Sequence, residues 1–281
     1  MLVMTLTIVV VSGGMGLEGD GPAGGMWVPE SGPSTPGDEA PRLDVLFCLD
    51  TTGSMYDEIQ VAKDEILDIA AVVSSGTPEP DVRYALVVYR DLGEIYVTKV
   101  FDFMSAKELA KVLSRVKAYG GNDYEESVAE ALHRSVHDVS WDPEANGAIY
   151  LIGDAPPHTD YDNGYDYRIA AMDAAERGIV VNAIGCSGIS GNEAEFMEMA
   201  ELTGGVFVYL SYGVAREEVV CRGYDAGPDD PEGTEDSSGA LSSESYYTCD
   251  GVGGSHSNDL DVVLCSMIKD QASQTGVEYD D

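Results

Sequence analysis

The chain has 281 residues, of which 44% are hydrophobic, and it carries 51 acidic against 15 basic residues, a formal net charge of -36. This length and apolar content favour one large domain with tails. The negative charge argues against nucleic acid as a partner, because phosphate binding depends on clustered basic side chains. Salt or bound cations must screen the self-repulsion, so we expect a secreted or cell-surface protein, with a cytoplasmic protein of a salt-adapted organism as the alternative.

Residues 1–42 are predicted to lie outside the folded domain. The apolar run 1–11 has signal-peptide length but no Lys or Arg ahead of it, so it predicts a weak or truncated export signal, with a stray apolar tail as the alternative. It is too short to span a bilayer as a helix, so we expect no stable membrane span in the mature chain. Residues 13–41 are rich in Gly, Pro, Ser and acid, a composition typical of a disordered arm.

From residue 43 onward, short apolar segments alternate with helical periods. Residues 95–103 follow a turn and predict a strand hairpinned to its predecessor as an antiparallel edge. The pattern is that of an α/β fold with a doubly wound, mostly parallel six-stranded sheet flanked by helices. Continuous apolar runs predict strands buried on both faces at 43–50, 84–89, 148–152, 179–184 and 206–210. Stripes of period 3.6 predict helices at 59–73, 109–116, 128–136, 165–177, 192–203 and 260–268.

The domain is predicted to cover 43–275, with a polar, acidic insertion at 212–257 and a short tail at 276–281. Cys221 and Cys249 bracket that insertion, so they form either a disulfide that closes it or two free thiols. Because the chain has five cysteines, Cys265 is expected to be the unpaired one, buried on the last helix. Cys48 and Cys186 lie in apolar strands, where buried free thiols are expected.

Two predicted strands end in aspartate, which points to a metal site. Asp50, Thr52 and Ser54 alternate after the first strand, and Asp154 follows the 148–152 strand. Ligands of open parallel sheets bind beyond the carboxyl ends of the strands, so we expect these side chains to meet. Hydroxyls with one or two carboxylates suit a hard cation such as Mg²⁺. Asp50 as a simple helix N-cap is the alternative, but capping needs one such residue and here three alternate.

The Asp50-x-Thr52-x-Ser54 pattern resembles the metal-ion-dependent adhesion site of von Willebrand factor type A domains, and the resemblance covers residues 43–211 and the last predicted helix. Three segments together are similar to a bacterial and hemicentin-like subgroup: Asp-Thr-Thr-Gly-Ser-Met, Tyr-Arg-Asp at 89–91 and Gly-Asp-Ala-Pro-Pro-His at 153–158. The resemblance implies that Thr52 and Ser54 ligate through their hydroxyls, while Asp50 and Asp154 contribute directly or through water. It leaves one position for the acidic side chain of a protein partner, and it implies Mg²⁺, with Mn²⁺ or Ca²⁺ as alternatives.

The second loop, residues 120–127, departs from the family pattern. The usual Thr is not evident there, and Asp123 is predicted to be the substitute ligand. An extra carboxylate would tighten metal binding but weaken the attraction of the ion for an acidic partner. His158 is expected to fix its loop by hydrogen bonding, and Asp160 to be a solvated loop acid.

These residues predict a divalent-metal-dependent, adhesion-type protein-binding module and not an enzyme. A nucleophilic aspartate of the haloacid dehalogenase kind requires a second Asp two residues later, where this chain has Thr52. No phosphate-binding Gly-rich loop with its Lys is evident. The alternative is an intracellular type A module that acts as a regulatory or scaffold subunit of an ATPase or another enzyme.

Overall fold

A computed structural model describes residues 40–121, 123–210 and 259–280, together with two short strands between them. The compact unit begins at Ala40, and residues 1–39, which hold the predicted export signal and most of the predicted arm, lie outside the described residues. The strands are β1 Arg42–Asp50, β2 Asp81–Tyr89, β3 Thr98–Met104, β4 Asn146–Gly153, β5 Ile179–Gly185, β6 Phe207–Tyr209, β7 Val220–Arg222 and β8 Glu244–Tyr246. The helices are α1 Tyr56–Val73, α2 Ala106–Leu113, α3 Val128–His137, α4 Tyr167–Glu176, α5 Ala194–Thr203 and α6 Leu260–Ser273.

The main sheet has six strands in the order β3-β2-β1-β4-β5-β6. All neighbours pair in parallel except β2 and β3, which are antiparallel, so the predicted fold class is confirmed. The strand β1 lies between β2 and β4, which brings the carboxyl ends of these three strands together. A separate antiparallel pair, β7 and β8, lies within the predicted insertion.

The core has two layers because successive residues of a strand point to opposite faces. From β1, Val45, Phe47 and Leu49 join the layer under α1, α2 and α6. Leu46 and Cys48 join the layer under α3, α4 and α5. Burial of each aliphatic or aromatic side chain stabilises the fold by about 1.5–3 kcal/mol. Because both faces of the central strands are covered by helices, nearly every residue of these strands is apolar.

The C-terminal residues extend the domain beyond the predicted end at 275. Val277 is buried, and the backbones of Thr77 and Glu278 exchange two hydrogen bonds of 2.8 and 2.9 Å. The hydroxyl of Tyr279 donates to the carbonyl of Val73 at 2.9 Å. These contacts attach residues 277–279 to the end of α1, so they belong to the domain and not to a free tail.

The cysteines follow the predictions in part. Cys48 and Cys186 are buried free thiols, as expected. Cys265 is buried but disulfide-bonded, which corrects the expectation that it is the unpaired cysteine. The side chains of Cys221 and Cys249 lie outside the described residues. Because each sulfur forms one disulfide, a bond from Cys265 to either of them excludes the predicted bond between them.

Among the described helices, none combines the length and the hydropathy that a membrane span requires.

Candidate metal centre

The four residues predicted from the first and third loops are linked by hydrogen bonds. Oδ1 of Asp50 accepts from the backbone N–H and from the hydroxyl of Thr52, both at 2.8 Å. The hydroxyls of Thr52 and Ser54 are 3.4 Å apart, and the Ser54 hydroxyl is near enough to Asp154 to oppose the rise in the pKa of that carboxyl. The structure therefore brings Asp50, Thr52, Ser54 and Asp154 together at the carboxyl edge of the sheet.

The register of β1 and β4 explains this proximity. Leu49 pairs with Ile152, so Asp50 and Asp154 leave adjacent strands almost level with each other. The glycine between Ile152 and Asp154 is required, because a Cβ at Gly153 would lie 2.4 Å from the hydroxyl of Tyr89. Asp50 bonds the N–H of Thr52, and neither Thr52 nor Met55 makes a side-chain cap at the helical turns that follow. Asp50 is thus not a simple cap of α1.

A buried glutamate of the second loop joins this group. Glu126 lies directly before Ser127 and α3, and the structure positions it through its backbone: its N–H donates to Pro156 at 3.0 Å and its carbonyl accepts from His158 at 3.1 Å. Its Oε2 is buried without a hydrogen-bond partner among the described residues, as is Oδ2 of Asp50. We call Asp50, Thr52, Ser54, Glu126 and Asp154 the strand-end cluster.

Burial disfavours the charged form of each carboxyl in the strand-end cluster. It raises the pKa of Glu126 to about 9, with a further contribution from the negative charge of Asp50. It raises the pKa of Asp50 to about 7, supported by the charge of Asp154. The pKa of Asp154 is also raised by burial, although the Ser54 hydrogen bond opposes the change.

None of the ion pairs in the described part of the chain involves Asp50, Glu126 or Asp154. Burying several carboxylates without a countercharge is costly, and a divalent cation among them offsets that cost. The donor set consists of oxygen atoms alone, which matches the preference of Mg²⁺, Mn²⁺ or Ca²⁺. The residues present therefore fit a hard divalent cation.

A second group of potential ligands lies at the same edge of the sheet. Nε2 of His158 is 3.7 Å from Oδ2 of Asp91 and 3.7 Å from Oδ2 of Asp123. One ligand atom from each of the three residues lies within 4.8 Å of the others. On its other side, Nδ1 of His158 is 2.8 Å from Oδ1 of Asp160. We call Asp91, Asp123 and His158 the histidine cluster.

Two hydroxyl groups hold the carboxylate of Asp91 in place. Ser127 donates to Oδ1 at 2.8 Å, and Tyr161 donates to Oδ2 at 2.6 Å. The ring of Tyr161 stacks on that of His158 with 3.8 Å between centroids and 15° between planes. Asp91 and His158 are consequently both fixed by neighbours that do not belong to the cluster.

The structure differs from the sequence-based expectation at the second loop. Asp123, predicted to be a ligand beside Asp50, directs its carboxylate toward His158, and its side chain is 54% exposed. Glu126, three residues later, is the carboxylate that reaches the strand-end cluster. Sequence reasoning missed both Glu126 and Asp91. Asp91 could have been found, because it follows the end of a buried strand, whereas the burial of Glu126 depends on tertiary packing.

The structure agrees with the two expectations for this loop, that His158 forms a hydrogen bond within it and that Asp160 is solvated. Nδ1 of His158 does hydrogen-bond within its own loop, and the Asp160 side chain is 78% exposed. The sequence did not indicate that the other ring nitrogen, Nε2, would face two carboxylates.

Comparison with known proteins identifies the family to which the chain belongs. The family model described as von Willebrand factor A domain matches residues 44–211, which is more than half of the chain. The alpha-protein kinase vwkA of Dictyostelium discoideum is 27% identical over 123 residues, covering 42% of this chain and 19% of the kinase. The chain thus spans about a fifth of the length of that curated relative.

Two solved structures are similar at low sequence identity. Proximal thread matrix protein 1 from the mussel byssus is 18% identical with a TM-score of 0.46, and the match covers 60% of this chain and 42% of that protein. One of its structures is described as having a zinc-occupied MIDAS motif. The conserved hypothetical protein BatB from Bacteroides thetaiotaomicron is 17% identical with a TM-score of 0.45, covering 59% of this chain and 89% of BatB.

Proposed function

Because this chain belongs to the von Willebrand factor A domain family, we propose that it is a divalent-metal-dependent protein-binding module whose strand-end cluster holds the cation. One observation carries the proposal. Oδ2 of Asp50 is buried without a hydrogen-bond partner among the described residues, beside two further carboxyls, those of Glu126 and Asp154. Thr52 and Ser54 add neutral hydroxyl oxygens. This donor set is typical of Mg²⁺, with Mn²⁺ and Ca²⁺ as further candidates.

The proposed partner is a protein that offers an acidic side chain to the open position of the bound ion. Ser54 is exposed and Asp154 lies at the end of β4, so the cluster is reachable from solvent on that side. Three carboxylates around a doubly charged ion leave residual negative charge. We therefore expect tight cation binding and modest affinity for the acidic partner, and we propose binding, not catalysis, as the role of the site.

The proposed setting is the cell surface or the extracellular space. The disulfide of Cys265 supports it, because disulfides persist in oxidising compartments. Mass spectrometry of alkylated protein from the native host, with and without prior reduction, tests this point. Protection of Cys265 from alkylation before reduction is the expected result. A fully alkylated, reduced Cys265 in native material would contradict the extracellular setting.

Thermal unfolding of the metal-stripped full chain tests the cation. A cation that binds the folded form alone stabilises it by about 2.7 kcal/mol at a hundredfold excess over its dissociation constant. We expect Mg²⁺, Mn²⁺ or Ca²⁺ to raise the melting temperature of the wild type but not that of Asp50→Ala. Asp68→Ala is the matched control, because Asp68 is an exposed aspartate on α1. An equal shift in Asp50→Ala and Asp68→Ala would reject the strand-end cluster as the binding site.

Partner chemistry is tested with matched peptides. Immobilised protein is exposed to peptide pairs that differ in one Asp or Asn, in Mg²⁺ and then in chelator. The proposal expects retention of Asp peptides in Mg²⁺ and their release by chelator. Equal retention of Asp and Asn peptides would contradict binding through the ion.

A further inference from the structure

We propose that the histidine cluster is a second metal site, selective for a transition-metal ion such as Zn²⁺ and separate from the strand-end cluster. Asp91, Asp123 and His158 supply one nitrogen and two carboxylate donors, each within 4.8 Å of the others. The proposal does not depend on occupation of the strand-end cluster.

The unsatisfied nitrogen of His158 is the observation that points to a ligand. The side chain is 9% exposed, and its Nε2 is buried without a hydrogen-bond partner among the described residues. The other nitrogen, Nδ1, donates to Asp160, which leaves the lone pair of the neutral ring on Nε2. In that tautomer the lone pair lies 3.7 Å from the carboxylates of both Asp91 and Asp123, an arrangement that is repulsive unless a metal ion lies between them or a second proton occupies Nε2.

The distances suit a small metal ion. Donors that bind Zn²⁺ tetrahedrally with bonds of 2.0–2.1 Å are separated from each other by about 3.4 Å. The two separations from Nε2 of His158, to Asp91 and to Asp123, are both 3.7 Å. A closure of about 0.3 Å brings each of these two pairs to that spacing, and the carboxylate oxygens of Asp91 and Asp123 lie within 4.8 Å of each other. Rotation of the exposed Asp123 side chain supplies part of it.

The surrounding contacts have the form of an outer shell that orients metal ligands. A ligating histidine commonly donates its second nitrogen to a carboxylate, as His158 does to Asp160. Ser127 and Tyr161 hold the carboxylate of Asp91, and Tyr161 also stacks on the imidazole. A carboxylate oxygen has two lone pairs, so Oδ2 of Asp91 can accept from Tyr161 and still bind an ion.

Donor chemistry separates this site from the strand-end cluster. An imidazole with two carboxylates suits Zn²⁺ and related transition metals, whereas Mg²⁺ and Ca²⁺ prefer oxygen alone. Asp123 is more than half exposed, so an ion can enter from solvent. Three protein ligands leave at least one position for water or for a group of a partner.

The competing reading is an ion-pair network in which His158 carries a second proton on Nε2. In that arrangement the single positive charge of the imidazolium offsets half of the charge of Asp91 and Asp123, and no metal is required. A metal site predicts that added Zn²⁺ binds through Nε2 of His158, whereas an ion-pair network predicts that it does not.

Zinc titration of the full chain by calorimetry decides between them, with the strand-end cluster saturated by Mg²⁺ and, in parallel, in Asp50→Ala. We expect one Zn²⁺ per chain in both, and at least a tenfold loss of affinity in His158→Gln. His137→Gln is the matched control, because His137 is an exposed histidine that also bonds an aspartate, Asp173. Co²⁺ in place of Zn²⁺ should give visible absorption bands that disappear in His158→Gln.

Three further readouts complete the test. His158→Gln must keep its melting temperature and its Mg²⁺ response, which shows that the fold and the strand-end cluster are intact. In ¹⁵N spectra, Zn²⁺ should shift Nε2 of His158 while Nδ1 keeps its proton. Equal zinc affinity in His158→Gln and wild type, or two protonated ring nitrogens at saturating Zn²⁺, would overturn the proposal.

Discussion

The strand-end cluster and the histidine cluster occupy the same edge of one sheet and reach their charge balance in different ways. The first is a group of buried oxygen donors, and Asp50 and Glu126 in it each keep an unsatisfied carboxylate oxygen. The second has an imidazole between two carboxylates, and Asp91 is held by two hydroxyl donors. The two clusters differ in donor type and in surrounding hydrogen bonds. We expect these two properties, more than the number of acidic residues, to determine which ion each cluster prefers.

The largest expected effect is a change of stability with pH, caused by the buried carboxyls of the strand-end cluster. Burial raises the pKa of Asp50 to about 7 and that of Glu126 to about 9. The unfolded chain ionises these groups near pH 4. Between about pH 4 and the raised pKa values of the folded chain, unfolding therefore releases protons. The melting temperature of the metal-free protein should therefore fall from pH 5 to pH 9, and fall less when Mg²⁺ is present.

The variant Glu126→Gln provides the control for this pH series, because it removes the titrating group with the highest of these values. Its melting temperature should depend on pH less steeply than that of the wild type. A melting temperature that is constant or rises from pH 5 to pH 9 in metal-free wild type would contradict the assignment of protonated, buried carboxyls.

Substitution of Glu126 and of Asp123 in separate variants tests whether the two clusters bind different ions. Glu126→Gln removes a carboxylate that would be ionised only when it holds the cation, so Mg²⁺ affinity should fall about a hundredfold, or about 2.7 kcal/mol, with Zn²⁺ affinity kept. Asp123→Asn should do the reverse. Calorimetry with each ion on both variants measures the four values. Loss of Mg²⁺ affinity in Asp123→Asn would restore Asp123 as a ligand of the first ion.

Much of the fold and part of the site could be predicted from the sequence. The apolar runs and the aspartates that end two of them are local features, and the order of parallel strands brings Asp50 and Asp154 together. Glu126 resembles any acid before a helix, and its burial arises only when its backbone bonds Pro156 and His158. The C-terminal contact of Val277 was likewise not visible, because it depends on the position of the end of α1.

A steric change near Asp154 should perturb the strand-end cluster alone. A Cβ at Gly188 would lie 2.8 Å from the carbonyl oxygen of Asp154 and 2.9 Å from its Oδ2. Crowding of this kind costs about 2 kcal/mol, so Mg²⁺ affinity in Gly188→Ala should fall about thirtyfold. Ser190→Ala in the same loop is the control. Equal Mg²⁺ titrations of the two variants would show that Asp154 does not hold the ion.

The smallest effect is expected from Asp160→Asn at the histidine cluster. Loss of an outer-shell carboxylate typically reduces metal affinity by about 10–100-fold, and the exposure of Asp160 favours the lower end, about tenfold for Zn²⁺. Mg²⁺ affinity should not change, and Asp162→Asn is the neighbouring control. A Zn²⁺ affinity equal to that of the wild type would show that Asp160 does not orient His158.

The backbone bridge between Glu126 and residues 156–158 carries a consequence for the two clusters. The N–H of Glu126 bonds Pro156 and the N–H of His158 bonds Glu126, so one short ladder joins a donor of each cluster. These two bonds give an ion that shifts one donor a direct route to act on the other. Occupancy of the two positions would then be thermodynamically linked, and whatever factor Zn²⁺ imposes on Mg²⁺ affinity, Mg²⁺ would return to Zn²⁺. The conformation of the loops that carry Glu126 and His158 would then depend on the concentrations of both cations together.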